Sequence, residues 1–180
     1  MIQVNKISLY FFAALISSAI IISSCTKNKY SKIISFYKKN PELHKAIADT
    51  LLNYLKTHNT SHVTLHQNNS PDSLISFGYT FDNISTQIGI GFDQSLNRID
   101  VDERTKQIDV PVKLIADFKK TIYYAVITKE AGVFFGYEYR SSMSKFVYGI
   151  LIYDDEAKID KGNVLKKIAP GVCVYEAVIP

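Results

Sequence analysis

The amino-terminal stretch determines which part of this chain is free to fold into a domain. Lys6 and the free amino group supply positive charge, and Ile7 to Ile22 form a nearly uninterrupted apolar run. The run is shorter than the ~20 residues that span a bilayer core, and it has the length of the apolar region of a secretory signal peptide. Small serines then lead into Cys25. The pattern predicts an export signal at the amino terminus, with the fold beginning after it.

The tetrapeptide Ile22-Ser23-Ser24-Cys25 indicates which kind of cleavage to expect. An ordinary secretory signal has a small residue three positions before the cut, and Ile22 is large. The tetrapeptide resembles the lipobox of bacterial lipoproteins, in which an aliphatic residue and two small residues precede a cysteine. The resemblance implies cleavage before Cys25, diacylglycerol on its sulfur and acylation of the new amino group. It covers only residues 1–25, and the alternative is an uncleaved membrane anchor with an incidental cysteine.

Lipid on Cys25 would make the membrane one partner of this protein without a transmembrane helix. Two or more acyl chains anchor a protein stably, whereas a single chain binds only marginally. The second mature residue is Thr26, and no acidic cluster follows it. In Gram-negative sorting patterns an aspartate at that place resembles an inner-membrane retention signal. We therefore expect a cell-envelope protein in the outer membrane, facing the periplasm.

Length and charge constrain the domain after the leader. Removing residues 1–24 from the 180-residue chain leaves 156 residues, which suits a single domain with a sizeable core. The leader's charged side chain is Lys6, so the formal net charge of +4 falls to +3, too little to indicate a nucleic-acid partner. A lysine cluster after Cys25 would suit anionic headgroups, and a solvated tether is the alternative. The cluster comprises Lys27, Lys29, Lys32, Lys38 and Lys39. We expect a polar tether over 25–32 and one domain over 33–180.

Two helical patterns stand out in the domain. Asn40-Pro41-Glu42 combines an N-cap residue, a first-position proline and an acid in the first turn, and apolar residues follow at three- and four-residue spacing. This predicts a helix over 41–57. A second helical pattern begins at Pro111 and is expected to continue to about Tyr124, although residues 122–127 are also strand-like.

Alternation of apolar and polar residues predicts strands between the two helices, and three strongly strand-forming runs predict strands after the second helix. Asp82-Asn83 suggests a two-residue turn between two of them, and Asn163 suggests a short helix ending before Pro170-Gly171. The predicted strands are 63–65, 75–81, 84–92, a more polar pair at 99–101 and 108–110, 133–139, 146–153 and 172–179. The predicted fold is a single α+β domain. Its mostly antiparallel sheet of about six to eight strands carries the two main helices on one apolar face.

The predicted hairpin between the strands at 133–139 and 146–153 is the most distinctive candidate binding surface. Aromatic residues and arginine dominate the hot spots of protein interfaces. The alternative is an ordinary strand pair, with aromatic residues in the core on one face and cross-strand pairs on the other. The candidate binding residues are Tyr137, Tyr139, Arg140, Lys145 and Tyr148, beside Glu138.

The evenly spaced histidines and Cys173 do not form an obvious metal or catalytic site in the sequence. His58, His62 and His66 are evenly spaced, yet they lie where a helix is expected to give way to a strand, and no Cys or Glu stands nearby to complete a zinc site. We therefore expect no metal and no cofactor. If Cys25 is lipidated, Cys173 has no disulfide partner, and its apolar surroundings favour a small buried hydrophobe over a catalytic thiol.

Two short motifs match known sites only in part. Ser142-Met143-Ser144-Lys145 matches the S-x-x-K pattern of penicillin-recognising enzymes, but it falls in the predicted hairpin and lacks the companion motifs. Asp93, Ser95 and Asn97 match the first ligands of a calcium loop, although Arg98 replaces the required glycine.

Two classes of function remain open. The first is a non-enzymatic lipoprotein that binds another envelope protein, of which a toxin-neutralising immunity protein is one version. The second is a small hydrolase whose site combines residues distant in sequence, such as a histidine with Cys173 or a serine. A histidine within hydrogen-bond reach of such a nucleophile would favour the hydrolase, and histidines scattered over the surface would favour the binding protein.

Overall fold

Helices and strands account for most of the chain that the structure describes. The computed structural model describes residues 30–58, 60, 62–67, 75–80, 87–99, 108–129, 132–142 and 144–178. The predicted leader, Cys25 and most of the predicted tether lie outside these residues.

The helices are α1 (Ser31–Lys39), α2 (Pro41–His58) and α3 (Val112–Lys119). Asn40 ends α1 and begins α2. Its backbone N–H and its side-chain amide donate to the carbonyl oxygen of Phe36, and its own carbonyl accepts from the backbone N–H of His44. One residue therefore satisfies backbone groups at two helix ends, and the helix predicted over 41–57 is confirmed.

Within the described residues, nine strands form one open antiparallel sheet with the order β4-β3-β2-β1-β5-β6-β7-β9-β8. The strands are β1 (His62–Gln67), β2 (Ile75–Thr80), β3 (Gln87–Phe92), β4 (Arg98–Ile99), β5 (Ala125–Lys129), β6 (Gly132–Ser142), β7 (Ser144–Tyr153), β8 (Val164–Ala169) and β9 (Val172–Val178). The single-domain α+β fold is confirmed, with one strand more than the upper limit expected.

A row of seven fully buried side chains crosses the sheet face that carries the helices. Each strand from β3 to β9 in the sheet order contributes one of them. Strand register places each of them opposite the next, and together they form the floor of the main core. In sheet order they are Ile90, Phe77, Leu65, Val126, Phe135, Ile150 and Val174. Ile33 of α1, Ile47 and Leu51 of α2, and Leu114 and Phe118 of α3 belong to the same core. The predicted packing of the helices on one apolar face is thus confirmed.

The opposite face of the central strands is also buried. Phe134, Leu151 and Cys173 stand opposite one another on β6, β7 and β9, and each is at most 1% exposed. They belong to a second apolar cluster that includes Ile159, from the segment between β7 and β8. These strands are apolar on both faces, because both faces lie inside the protein.

The β6–β7 pair contains a β-bulge and a glycine that leaves no room for a side chain. The register shifts between Gly136 and Glu138, so that Tyr137 is the extra residue of a β-bulge. Gly149 faces Gly136 across the pair, and a Cβ atom at Gly149 would lie 1.8 Å from the carbonyl oxygen of Phe135. No side chain fits there, which explains the glycine in the middle of a buried strand.

The second predicted helix is shorter than expected. It ends at Lys119, and residues 125–129 form β5 in the middle of the sheet. The prediction of helix to about Tyr124 was wrong because Phe118, Ile122 and Val126 keep helical spacing by coincidence. Val126 and Ile127 point to opposite faces of the sheet and are both buried, an arrangement that a strand between β1 and β6 provides.

The short helix expected after Asn163 is also wrong, because residues 164–169 form the edge strand β8. Pro170-Gly171 joins β8 to β9 as a two-residue turn, in which Gly171 has φ +69°. A proline followed by a glycine at positive φ is the signature of a type II turn. The Pro170-Gly171 turn thus favours a β-hairpin over a helix for residues 164–169.

Two details of the first half of the sheet differ from expectation. Thr80 pairs with Gln87, two residues away from the register that a turn at Asp82-Asn83 would give, and residues 81–86 lie outside the described part. Ile108 and Val110 were expected in a strand. They are buried in the main core without belonging to one.

The close approach at Gly149 gives a test of the fold. We expect Gly149→Ala to lower the free energy of unfolding by about 1–3 kcal/mol, because the added methyl group overlaps the Phe135 carbonyl oxygen. Gly91→Ala is the matched control, since a Cβ atom there meets no atom closer than 3.5 Å. Urea unfolding followed by circular dichroism measures both changes. Equal stability of the two variants would contradict this packing.

Candidate functional site

The candidate binding hairpin is present, and its tyrosines divide between core and surface. Tyr148 on β7 is 4% exposed, and its ring meets Tyr30 edge-on at a centroid distance of 5.2 Å and Tyr137 at 6.0 Å. Tyr137 is half-buried, and the Lys32 ammonium lies 5.2 Å from the centre of its ring, which is cation–π geometry. Tyr148 therefore packs under α1 and does not present a surface, whereas Tyr137 remains partly accessible.

The other candidate residues lie toward the tip of the same hairpin. The backbone register places Tyr139 opposite Val147, Arg140 opposite Phe146 and Ser141 opposite Lys145. For Tyr139, Arg140 and Lys145 the structure describes the backbone alone. The hairpin brings all three within a few residues of the bulge at Tyr137, so the sequence prediction of one shared location is supported at the level of the backbone.

Both partial motifs have structural explanations. Ser142 and Ser144 face each other at the end of the β6–β7 hairpin, so the S-x-x-K residues do not start a helix. Asp93 accepts hydrogen bonds from the backbone N–H groups of Ser95 and Asn97, both at 2.8 Å, and its second oxygen accepts from the Asn97 side chain. Its carboxylate thus closes the β3–β4 loop on itself.

A buried histidine–tyrosine pair joins α2 to the sheet. His44 is fully buried, and its Nδ1 lies 2.6 Å from the carbonyl oxygen of Asn40 and its Nε2 lies 2.9 Å from the hydroxyl oxygen of Tyr123. A carbonyl only accepts, so Nδ1 carries the hydrogen and Nε2 accepts from the tyrosine. Both ring nitrogens are engaged, and the rings of Phe36, Tyr37 and Phe135 surround the imidazole at 5.0–5.6 Å.

Burial keeps both members of this pair uncharged. It lowers the pKa of His44 below its ordinary value, partly opposed by the hydrogen bond to Asn40. It raises the pKa of Tyr123 well above its ordinary value. Sequence reasoning did not single out His44, although His44, Ile47 and Leu51 recur at helical spacing on the apolar face of α2. A polar residue at a core position of an amphipathic helix was the available signal.

The three evenly spaced histidines do not form a site. His58 ends α2 and stacks on Tyr54 at 3.9 Å, whereas His62 and His66 lie on β1. Burial lowers the pKa of His66, and the neighbouring His62 adds to this effect. Among the described residues, no group of three or more His, Cys, Asp or Glu side chains is arranged to hold a metal ion.

Cys173 is a buried thiol next to an open cleft. Register places it between Leu151 of β7 and Lys167 of β8, and burial raises the pKa of its thiol to about 11. The cleft has a volume of about 460 Å³, and Lys167 donates to Glu156 at its rim. The thiol is protonated at neutral pH and lies beneath the surface, which does not suit a nucleophile.

The histidines of the described chain lie far from this thiol. His44 and His58, which stacks on Tyr54 of the main core, belong to the helix side of the sheet, whereas Cys173 belongs to the opposite side. His62 and His66 are on β1, four strands away from β9. At about 4.8 Å per strand, this corresponds to roughly 19 Å along the sheet. The histidine–cysteine pair that would favour a hydrolase is therefore not formed by these residues.

Comparison with known proteins adds no assignment. No protein-family model matches the chain, and neither a curated protein nor a solved structure shows significant similarity to it. Within the described ranges, no helix is both long and apolar enough to cross a membrane. Function is inferred from the residues of this chain and their arrangement.

The His44–Tyr123 pair makes stability depend on pH. Because burial lowers the folded pKa of His44, the unfolded chain binds the proton first on acidification. The free energy of unfolding should therefore decrease as the pH falls below the unfolded value of about 6.5. The double variant His44→Phe/Tyr123→Phe removes the titrating ring without leaving an unpaired hydroxyl, and it should show a smaller decrease.

Urea unfolding at successive pH values between neutral and mildly acidic conditions measures this difference. His66 contributes a change of the same sign, but it is present in both proteins and cancels in the comparison. An identical dependence on pH in the wild type and the double variant would contradict the assignment of a neutral, buried His44.

Proposed function

We propose that this protein is a lipid-anchored lipoprotein of the bacterial cell envelope, and that its domain binds another envelope protein without catalysing a reaction. The observation that carries the proposal is the tetrapeptide Ile22-Ser23-Ser24-Cys25 after a short apolar run. Lipid on Cys25 holds the domain close to the membrane, because α1 begins only six residues later, at Ser31. Six residues extend over at most about 20 Å. Thr26 after the cysteine favours the outer membrane, facing the periplasm.

The positions of the chemistry-bearing side chains support binding over hydrolysis. His44 uses both ring nitrogens inside the protein, with Asn40 and Tyr123. Cys173 is protonated and buried on the other side of the sheet. A nucleophile needs an accessible, activated sulfur or oxygen next to a base, and these residues are occupied with packing and internal hydrogen bonds.

The β6–β7 hairpin is the proposed contact surface for the partner. Its base is fixed in the centre of the sheet, and the bulge at Tyr137 lies next to α1. Tyr139, Arg140 and Lys145 extend the surface toward the tip, while Tyr148 supports Tyr137 from below. A rigid base with aromatic and basic residues beyond it suits a protein interface. An immunity-type inhibitor is one specific form of this proposal.

Lipidation can be tested with the two cysteines of the chain. We expect wild-type protein grown with an alkyne-labelled fatty acid to carry the label and to lack residues 1–24. Cys25→Ala should lose the label and retain the leader, because lipid attachment precedes cleavage at a lipobox. Cys173→Ala is the matched control and should keep both lipid and cleavage. Label retained in Cys25→Ala, or absent from the wild type, would contradict the proposal.

The partner surface can be tested by crosslinking in intact cells followed by purification of the tagged protein. The wild type should recover one envelope protein in stoichiometric amount. Arg140→Glu/Lys145→Glu should reduce this recovery about tenfold or more, since removing hot-spot contacts costs more than 1 kcal/mol each. Lys158→Glu/Lys161→Glu introduces the same charge change after β7 and should have no effect. Recovery of no partner, or equal loss in both variants, would contradict the assignment.

A further inference from the structure

The surface of the helix layer carries more basic than acidic side chains. Every lysine on α1, α2 and α3, together with Lys120 directly after α3, is solvent-exposed. The exposed acids of the same helices are Glu42 and Asp49, while Asp117 is buried. We call this surface the lysine face. Its eight lysines are Lys32, Lys38, Lys39, Lys45, Lys56, Lys113, Lys119 and Lys120.

Internal contacts neutralise only part of this charge. Lys113 and Lys120 both bind the carboxylate of Asp117, at 2.5 Å and 2.9 Å. Lys119 donates to the neutral carbonyl oxygen of Gln94. Counting the three carboxylates of these helices against the eight lysines leaves an excess of five positive charges. This exceeds the net charge of +4 of the whole chain.

The part of the chain after β7 has a different balance. Residues 154–178 contain five acidic side chains and four lysines, a net charge of −1. Within this part, Asp154 to Asp160 holds four acids and one lysine, and Ile159 packs into the apolar cluster on the sheet face opposite the helices. The helix layer therefore carries a larger excess of positive charge than this part of the chain.

The lysine face begins close in sequence to the proposed lipid anchor. Its first residue, Lys32, is seven positions after Cys25, and the chain between Cys25 and α1 extends over at most about 20 Å. A membrane that holds the anchor is therefore close to α1. Anionic headgroups attract basic side chains that come within a Debye length of about 8–10 Å.

We propose that the lysine face binds the anionic phospholipid headgroups of the membrane that carries the lipid on Cys25. The domain then stands with its helices toward the lipid, and the segment from Asp154 to Asp160 faces the aqueous compartment. The inference rests on the proposed lipid anchor and specifies how the anchored domain is oriented. Its recognition chemistry is that of lysine ammonium groups with lipid phosphates, which depends on charge and on salt.

Amine footprinting of the purified lipidated protein tests this orientation. The full protein is reconstituted into vesicles of phosphatidylcholine, with or without roughly one third phosphatidylglycerol, an anionic lipid. Lys38, Lys45 and Lys56 should react about threefold or more slowly when phosphatidylglycerol is present, and high salt should remove the protection. Lys158 and Lys161 flank Ile159, which packs on the face opposite the helices, and Lys167 shares that face with Cys173; these three exposed lysines should react equally in both vesicles.

Charge-reversal variants separate the lysine face from charge in general. Lys38→Glu/Lys45→Glu/Lys56→Glu should abolish the lipid-dependent protection of Lys39. Lys158→Glu/Lys161→Glu/Lys167→Glu changes the net charge equally on the opposite side of the sheet and should preserve that protection. All six lysines are exposed, so both variants should fold, and circular dichroism checks this.

The proposed orientation and the proposed lipid anchor can fail separately in these experiments. Reaction rates that do not depend on phosphatidylglycerol, or equal protection of all lysines, would overturn the orientation even if the protein is lipidated. Protection that occurs in native membranes but not in pure vesicles would indicate an acidic protein partner and would also overturn it. An intact mass without acyl chains would refute the anchor separately, and the same vesicles would then test the lysine face alone.

Discussion

The structure depends on the row of seven buried side chains that crosses the helix side of the sheet, from Ile90 on β3 to Val174 on β9. Burial of this row fixes the register of the strands, because a shift by one residue would turn each apolar side chain to the other face. The same constraint fixes the helices, whose apolar faces cover the row. Their lysines are then left on the outside. A basic surface thus follows from how the apolar core is covered.

Those parts of the fold that local chemistry specifies could be predicted from the sequence. Asn40-Pro41-Glu42 marks the start of α2, and the alternation in β2 and β3 marks strands. The apolar and aromatic runs of β6, β7 and β9 mark three more strands. The sequence was ambiguous where two periodicities coincide. Val126 fits a helix after Phe118 as well as a strand, and only its pairing with Leu65 and Phe135 decides for β5. Tertiary pairing overrides propensity at such places.

The candidate sites also differ in whether local sequence or tertiary contacts reveal them. The tetrapeptide that ends at Cys25 is a local signal, so the sequence alone supports it. The β6–β7 hairpin was expected, but the pattern of apolar residues does not reveal the bulge at Tyr137 or the packing of Tyr148 against Tyr30. The His44–Tyr123 pair joins residues 79 positions apart, and the lysine face collects side chains from three helices. Neither has a signature in any short stretch of sequence.

The proposed lipid on Cys25 would place this domain at a membrane. The intact mass of the protein extracted from the membranes of its native cells, with fragmentation of its amino terminus, tests this directly. We predict a chain that begins at Cys25 and carries a diacylglycerol and an amide-linked acyl chain on that residue. A chain that retains residues 1–24, or one that begins at Cys25 or elsewhere without acyl chains, would contradict it.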